Sequence, residues 1–226
     1  MITALNCSIG RDSFVDGLDA AVAMGLRDVE LWWPFPDPDP TAGQIDDVVA
    51  QLRKRGLGLV ALNMFGGDLA AGERGILHDR DLPEEHIDAI ERFHHLTGVA
   101  RFNLLLGRGG TVLTAAQLDR FAGVAGDVEK RFGGTVMVEP MSGTEDYPVR
   151  TVADAAPLLE HGGLLLDLYH LAVNDAVTLD VMPEHVQVAD NPGRGAPGTG
   201  ELPLADWVTQ LRANGYTGHV VGEWLP

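Results

Sequence analysis

Cysteine is almost absent from this chain of 226 residues, in which Cys7 is the only one. A lone cysteine excludes an internal disulfide, and its place in an apolar run indicates a small core residue rather than a nucleophile. Long apolar segments are missing as well. No run approaches the roughly 18 residues of a membrane-spanning helix, and the N-terminus lacks the basic start of a signal peptide. We therefore expect a soluble, cytoplasmic protein without a membrane partner.

Basic residues are also scarce, with 16 Lys and Arg against 33 Asp and Glu and a formal net charge of −17. Such a chain repels a phosphate backbone, and it contains no local basic patch, so we expect no nucleic-acid partner. The two lysines, Lys54 and Lys130, fall near the ends of predicted helices. Neither is a good candidate for a Schiff-base lysine.

Short apolar runs of strand type alternate with helical or loop segments along the whole chain. No flexible linker or run of like charges divides them, so we expect a single domain over residues 1–226. The predicted strands cover residues 2–7, 28–33, 57–63, 101–107, 135–139, 164–167, 185–190 and 219–223. The predicted helices cover residues 13–24, 43–55, a segment from near Pro83, 114–132, 151–160, a weak patch at 171–181, and 204–214.

Eight strands separated by helical segments are typical of parallel β/α units. Closing eight such units produces a (β/α)8 TIM barrel of the α/β class, which is the fold that we predict. A doubly wound open sheet is the competing interpretation. Its dinucleotide-binding form carries a glycine-rich turn after the first strand, and the segment CSIGRDS matches that fingerprint poorly.

Four predicted strands carry, at or near their ends, side chains that offer oxygen. In a barrel the carboxyl ends of the strands surround one catalytic mouth, so these side chains are expected to converge. Burying an unpaired carboxylate is costly, and four oxygen ligands suit a hard divalent ion such as Mg²⁺ or Mn²⁺. The alternative is that each acid caps the next helix or pairs with an arginine. The four residues are Glu139, Asp167, Gln187 and Glu223.

The segment from Gln187 to Glu201, QVADNPGRGAPGTGE, is longer than a strand needs in order to reach the next helix. Most such connections use about two to six residues. Its glycines and prolines frame one guanidinium, that of Arg194, which could hold a small carboxylate through two parallel hydrogen bonds. The alternative is a long surface connection in which glycine and proline serve only the backbone geometry.

Several of these segments resemble the hydroxypyruvate isomerases, which belong to the xylose isomerase-like TIM barrel group of sugar isomerases and epimerases. The resemblance covers most of the chain from Glu30 to the end. It is carried by NMFGGDLAAGERG, EPMSG, DLYH, QVADNPGRGAPGTGE and GYTGHVVGEWLP.

The resemblance implies specific roles for the residues at the strand ends. It implies that His170 and Arg194 contact substrate, and that two glutamates transfer protons while also binding a single divalent metal ion, Mg²⁺ or Mn²⁺. Asn63 is a weaker candidate for substrate contact, and Glu30 is a weaker candidate for the site as a whole. Nearly all that supports either residue is its position near the end of a strand. The implied metal ligands are Glu139, Asp167, Gln187 and Glu223, of which Glu139 and Glu223 are the catalytic pair.

The chain departs from the family pattern at two places. The family loop commonly reads Gly-Arg-His-Glu-Pro, whereas this chain has Gly195 and Ala196 between Arg194 and Pro197. Two polar side chains are therefore missing, which would widen the mouth of the barrel. The segment between His170 and His185 is also lean, so one barrel helix is expected to be rudimentary.

The remaining histidines and tryptophans have modest claims to function. Three histidines on a predicted helix are expected on the outer ring, and two that open strands are expected to stabilise the barrel floor. The adjacent tryptophans could either wall the mouth or pack under a loop. The helix histidines are His86, His94 and His95, the strand-opening histidines are His185 and His219, and the tryptophans are Trp32 and Trp33.

The expected activity is the interconversion of hydroxypyruvate and tartronate semialdehyde through an enediolate, with the two glutamates as base and acid. An isomerase or epimerase of a longer sugar or 2-oxo-tetronate is an alternative, and a barrel that binds a sugar acid without turnover is a second. Endonuclease activity is disfavoured by the acidic charge and by the lack of histidines at strand ends. A homo-oligomer is compatible with the sequence.

Overall fold

Eight parallel strands close into a barrel in the computed structural model, which describes residues 1–226. Each strand pairs with its neighbours in sequence, and the first also pairs with the last, so the sheet has no free edge. The prediction of a (β/α)8 barrel is confirmed. The strands are β1 (Ala4–Asn6), β2 (Asp28–Leu31), β3 (Gly58–Asn63), β4 (Arg101–Asn103), β5 (Thr135–Val138), β6 (Gly163–Asp167), β7 (His185–Val188) and β8 (Val220–Gly222).

Seven α-helices surround the barrel, and their ends follow from local sequence. Thr41 and Thr114 each form a capping box with the glutamine three residues on, which satisfies backbone N–H groups at the helix start. No helix combines the length and apolar character that a membrane crossing requires. The helices are α1 (Phe14–Ala23), α2 (Ala42–Arg55), α3 (Glu84–Thr97), α4 (Ala115–Phe132), α5 (Val152–Ala155), α6 (Leu168–Val173) and α7 (Leu204–Ala213).

Two predicted helices differ from the observed ones. The predicted helix over 171–181 is wrong in position. α6 begins at Leu168, because the Asp167 carboxylate accepts the N–H groups of Tyr169 and His170, and no further helix forms between Val173 and β7. The predicted helix over 151–160 is interrupted. Pro157 lacks a backbone N–H, and beyond it only a short 3-10 turn forms, over Leu158–Glu160.

The apolar core lies between the strands and the helices, whereas the barrel interior is partly polar. Phe102 of β4 and Phe121 of α4 are fully buried in the core, where each contributes about 1.5–3 kcal/mol through burial. Inside the barrel, Ala61, Met137 and Leu165 form a small separate apolar layer. Above this layer the inward-facing side chains are mostly amides and carboxylates, which prepares the mouth for polar chemistry.

Strand register places the polar side chains next to one another. Side chains alternate between the two faces of a strand, so Leu165 and Asp167 of β6 point to the same side. The pairing of β6 with β7 then sets Asp167 beside Gln187. On the opposite side of the barrel, Asn6 pairs with Glu30.

Candidate active site

A cavity of about 480 Å³ opens at the carboxyl ends of the strands, at the mouth of the barrel. Most of the predicted site residues line it, and the other two, Asp167 and Gln187, are buried with about 1% of their surface exposed. The predicted residues that line the cavity are Asn63, Glu139, His170, Arg194 and Glu223.

Glu139, Asp167 and His170 form a tight cluster on one side of this cavity. One ligand atom from each lies within 4.8 Å of the others, which is close enough for all three to approach a single ion. His170 Nε2 is 3.6 Å from Glu139 Oε1 and 3.6 Å from Asp167 Oδ2. The second oxygen of Glu139 accepts a hydrogen bond from Asn103 Nδ2 at 2.7 Å, which orients the carboxylate.

Glu223 reaches the same cavity from the end of β8 and is held on both of its oxygens. Its Oε1 accepts hydrogen bonds from Asn6 Nδ2 at 2.9 Å and from Trp32 Nε1 at 2.8 Å. Its Oε2 accepts from Arg194 Nη2 at 2.5 Å. Three donors from three different parts of the chain therefore fix the carboxylate before any substrate is bound.

The Arg194 guanidinium lies between the carboxylates, not free in the cavity. Nη2 donates to Asp167 Oδ2 at 2.9 Å as well as to Glu223, and Nη1 lies 2.8 Å from His170 Nε2. Nε donates to the Glu223 backbone oxygen, and the group lies 4.9 Å from the centre of the Tyr169 ring. In this conformation most of its donors are used by the protein, so a two-bonded grip on a substrate carboxylate would require the side chain to move.

Gln187 has one amide atom in use and one free. Its Nε2 donates to Glu30 Oε1 at 2.5 Å, whereas its Oε1 is buried without a hydrogen-bond partner. The bond to Glu30 fixes which way the amide points. A buried oxygen held without a donor suits a cation, so the residues present fit a hard divalent ion.

Glu30 lies inside the barrel as part of the support for this site and does not line the cavity. It is fully buried, and its carboxylate also accepts hydrogen bonds from Asn6 Nδ2 at 2.7 Å and His185 Nε2 at 2.5 Å. Because Asn6 also donates to Glu223, one amide connects the two glutamates. Glu30 thus orients Gln187 and Asn6, and through them the residues at the cavity.

Burial and mutual repulsion raise the pKa of both cavity glutamates. Loss of hydration, with the charge of Asp167 adding to it, raises the pKa of Glu139 to about 8, although Arg194 and Asn103 act in the opposite direction. Loss of hydration also raises the pKa of Glu223 well above its ordinary value; Arg194 acts against this, and repulsion from the other buried carboxylates adds to it. A raised pKa makes a carboxyl group better suited to accept and return a proton.

Asp167 and His170 have pKa values shifted the other way. Burial would raise the pKa of Asp167, but His170, Arg194 and the backbone N–H groups at the start of α6 outweigh it and hold the pKa below its ordinary value. Loss of hydration lowers the pKa of His170 to about 4, against the attraction of Asp167. The imidazole is therefore neutral near pH 7, and because its Nδ1 accepts a hydrogen bond from Ser142 N at 3.1 Å, the ring proton lies on Nε2.

The family model of the xylose isomerase-like TIM barrel matches residues 18–226. The chain belongs to this family. It is 33% identical to a provisionally named hydroxypyruvate isomerase of Streptomyces coelicolor, with 92% of this chain and 84% of the relative covered. It is 24% identical to a 2-oxo-tetronate isomerase of Pectobacterium atrosepticum, with 94% and 87% covered.

A solved structure from Brucella melitensis, described as an AP endonuclease of family 2, has the same fold. Its TM-score with this protein is 0.83 over 100% of this chain and 94% of the other, at 24% identity. At this level of identity the likeness concerns the fold. The xylose isomerase-like barrel of this chain is thus shared with proteins of different chemistry, and the site residues must decide its function.

The long loop after β7 is organised by Asp190, a residue that sequence reasoning did not single out. Its carboxylate is buried and accepts hydrogen bonds from the backbone N–H groups of Asn191 at 2.9 Å, Gly198 at 2.8 Å and Leu202 at 3.0 Å. Loss of hydration raises its pKa, but these backbone donors outweigh burial and hold the pKa below its ordinary value. Asp190 therefore shapes the loop that carries Arg194.

An Asp190→Asn variant is expected to lose about 1–3 kcal/mol of unfolding free energy near pH 7, because the amide leaves a buried N–H without an acceptor. The carboxylate has a lowered pKa in the folded state. Its contribution is therefore present above the ordinary pKa and is lost as the pH falls through the folded value. Urea unfolding of both proteins at several pH values measures this.

The matched control for this comparison is Asp180→Asn, which changes an exposed acid outside the loop. It should leave stability within about 0.5 kcal/mol of the parent protein. A difference between the parent protein and Asp190→Asn that stays constant down to strongly acid pH would contradict the role given to the Asp190 carboxylate.

Gly195 and Ala196, where the chain departs from the family pattern, do not line the cavity. The backbone of Gly195 pairs instead with that of Asp190, and a Cβ at this position would lie 2.5 Å from Thr199 Oγ1. A wider mouth than in the relatives stays a prediction.

Two amides of the site were missed by sequence reasoning: Asn6 donates to Glu223 and Asn103 donates to Glu139. Trp32, whose place was left open, lines the cavity and donates to Glu223. Asn6 and Asn103 are the last residues of β1 and β4, but the predicted strands continue past both, so the strand ends did not mark them. A search for carboxylate ligands alone passes over their amides.

Trp33 and His86 pack against each other under the loops, so Trp33 does not wall the mouth. The expectation that His86 points to the outer ring is wrong, because its imidazole is fully buried against Trp33, with ring centres 4.4 Å apart. His86 Nδ1 donates to the Pro38 oxygen at 2.9 Å, and Nε2 accepts from Phe65 N at 3.2 Å. Burial lowers its pKa to about 4, so it is a neutral tether between two loops.

The other histidines lie where the sequence placed them. His94 and His95 are on α3, half-buried and exposed respectively, and His219 precedes β8 and lies 3.2 Å from Thr3 Oγ1. His185 opens β7 and contacts Glu30 inside the barrel. A stabilising role for His185 remains a prediction.

Proposed function

We propose that this protein is a divalent-metal-dependent isomerase that interconverts hydroxypyruvate and tartronate semialdehyde. The observation that carries the proposal is the pair Glu139 and Glu223. They come from non-adjacent strands, line one cavity, and both have raised pKa values. The relatives named as isomerases of hydroxypyruvate and 2-oxo-tetronate support the same chemistry.

The metal would be held by oxygen atoms of four side chains. Asp167 and Glu139 lie within one cluster, Gln187 contributes a buried oxygen without a donor, and Glu223 faces them through Arg194. Such a set suits Mg²⁺ or Mn²⁺. When bound, the ion would stabilise negative charge that develops on neighbouring substrate oxygens.

The proton transfer belongs to the two glutamates. One takes a proton from C3 of hydroxypyruvate, and the C–H electron pair forms the double bond of an enediolate. The other delivers a proton to C2, while the proton of the C3 hydroxyl passes to the C2 oxygen, so that C3 becomes the aldehyde carbon and C2 carries the hydroxyl. The step balances, since one proton moves from C3 to C2 and one from the C3 oxygen to the C2 oxygen. Burial raises the pKa of both glutamates, which favours the exchange of a proton with substrate.

Asn63, His170 and Arg194 are proposed to contact substrate. Asn63 Oδ1 is buried at the cavity wall without a partner, so it can accept a hydrogen bond from a substrate hydroxyl. Neutral His170, whose Nδ1 accepts from Ser142 N, has its proton on Nε2 and can donate a hydrogen bond to a substrate oxygen once Nη1 of Arg194 no longer faces it. Arg194 would stay beside Asp167 and Glu223 and contact the substrate oxygens that gain negative charge there.

A longer substrate, such as a 2-oxo-tetronate, is the second candidate. The cavity of about 480 Å³ exceeds what a three-carbon acid fills, and one relative carries this activity in its name. The enediolate chemistry would be the same. Comparing kcat/KM for three-carbon and four-carbon hydroxy-oxo acids separates the two. Binding without turnover, the third possibility, predicts no product from either.

Removal of divalent metal is expected to abolish turnover of hydroxypyruvate, and added Mn²⁺ or Mg²⁺ is expected to restore it. Because the ion would relieve repulsion among buried carboxylates, it should also raise the melting temperature. NMR detection of tartronate semialdehyde and thermal unfolding, each with and without metal, measure the two effects. Turnover that survives exhaustive chelation would exclude the metal from the proposal.

A further inference from the structure

A second arginine, Arg74, lines the same cavity and has no acidic partner. It lies in the loop after β3, is half-buried, and forms no ion pair with any Asp or Glu. The other arginine of the cavity, Arg194, is bound by Asp167 and Glu223.

The hydrogen bonds of Arg74 leave one edge of its guanidinium free. Nη1 donates to the backbone oxygens of Leu69 at 3.1 Å and Glu73 at 2.6 Å. Nε and Nη2 have no acceptor in the protein. Their N–H groups point the same way and form the edge that binds both oxygens of a carboxylate side by side.

The backbone around Arg74 is held in place by the segment after β4. The Arg74 oxygen accepts from Gly107 N at 2.7 Å, and Gly75 N donates to the Gly66 oxygen at 2.8 Å. Gly75 has a φ of 96°, and a Cβ there would lie 2.0 Å from the Leu105 oxygen, so only glycine permits this contact. The guanidinium is therefore presented from a rigid position, which reduces the entropy lost on binding.

The charges around the cavity separate an acidic side from a basic one. Glu139, Asp167 and Glu223 gather at the ends of β5, β6 and β8 and would repel a substrate carboxylate. Arg74 faces the cavity from the loop after β3 without such neighbours. It is near enough to His170 for its charge to help lower the pKa of that ring, after the larger effects of burial and Arg194.

We propose that Arg74 binds the carboxylate of the substrate and so selects hydroxy-oxo acids over neutral sugars of similar length. This assignment rests on the proposed isomerase function. It gives the two cavity arginines different tasks: Arg74 anchors the acid group, while Arg194 stays with the carboxylates that surround the reacting carbons. An anchored carboxylate also places C2 and C3 in a fixed direction from Arg74.

The test compares Arg74→Gln and Arg74→Lys with the parent protein. We expect Arg74→Gln to raise the KM for hydroxypyruvate by about 10²-fold with a much smaller change in kcat, and Arg74→Lys, which keeps the charge but loses the paired edge, to raise it by about 10-fold. Binding of glycerate, an acid that cannot isomerise, should weaken in parallel. Quenching of tryptophan fluorescence can follow it, since Trp32 lines the cavity.

Arg92→Gln is the matched control, because Arg92 is half-buried like Arg74, pairs with Asp46 and does not line the cavity. It should leave both KM and glycerate affinity unchanged. Thermal unfolding checks that each variant folds. If Arg74→Gln does not fold, Arg74→Lys tests the assignment of Arg74 in its place. Dihydroxyacetone, which lacks a carboxylate, should bind the parent protein and Arg74→Gln with equal affinity.

Failure of this inference can be told apart from failure of the proposed function. If the parent protein isomerises hydroxypyruvate and Arg74→Gln changes KM by less than about threefold, the assignment of Arg74 is overturned and the isomerase proposal stands. If the parent protein turns over no hydroxy-oxo acid, the isomerase proposal fails. Glycerate binding then still tests Arg74 directly, and equal affinity for parent and Arg74→Gln would overturn it.

Discussion

A Glu223→Gln variant is expected to lose about 10³-fold or more in kcat for hydroxypyruvate while retaining its fold. Glutamine has the same shape, and its oxygen can still accept the hydrogen bonds from Asn6 and Trp32. It cannot take or deliver a proton. Its amide nitrogen would also face the Arg194 donor instead of accepting from it. Steady-state kinetics with metal at saturation measure the loss.

The control for Glu223→Gln is Glu145→Gln, which removes the same charge from an exposed position near the mouth. It should leave kcat within about twofold of the parent value. Circular dichroism and thermal unfolding establish that Glu223→Gln is folded. A folded Glu223→Gln variant with more than a tenth of the parent kcat at saturating metal would rule out Glu223 as a proton-transfer residue.

Replacing Glu30 with alanine is expected to lower the free energy of unfolding by about 3–5 kcal/mol. Glu30 is fully buried and accepts hydrogen bonds from Asn6, His185 and Gln187, so its loss leaves three donors unpaired inside the barrel. The free energy of unfolding of a whole domain is only about 5–15 kcal/mol, so this loss would be a large fraction of it. Chemical denaturation of the metal-free proteins measures it.

Glu201→Ala, which removes an exposed acid, is the control for Glu30→Ala and should change stability by less than about 0.5 kcal/mol. Metal affinity provides a second readout. Without Glu30 the Gln187 amide is free to turn and present nitrogen in place of oxygen, so metal should bind more weakly. A loss of stability below about 1 kcal/mol would mean that the network around Glu30 contributes little.

Arg194 partly takes the place of a cation among the buried carboxylates. Three of its nitrogens are engaged by Asp167, His170 and Glu223, so the guanidinium neutralises part of the charge that the carboxylates would otherwise share unrelieved. A metal ion entering this cluster would compete with it. The separate position of Arg74 means that substrate binding need not wait for Arg194 to be released.

Much of the barrel and part of its site could be predicted from local pattern. β4, which begins at Arg101, and β5, which ends just before Glu139, were predicted because short apolar runs bounded by glycine and polar residues indicate buried strands. The converging oxygens of Asp167 and Glu223 followed from one rule, that parallel strands end at the same rim. The errors came where the local pattern was weak, as in the segment after Val173, or where a side chain from the first turn of a helix points inward, as at His86.

The sequence by itself determined the alternation of strands and helices and the presence of oxygen-bearing side chains such as Glu139 and Gln187 at the strand ends, because both are set by the order of residues along each segment. Only the tertiary structure decided which groups meet. Asn6 and Glu223 lie 217 positions apart and touch because the first strand closes against the last. The distinction between an engaged Arg194 and a free Arg74 likewise depends on which acceptors the folded chain brings within reach, and no spacing along the chain encodes that.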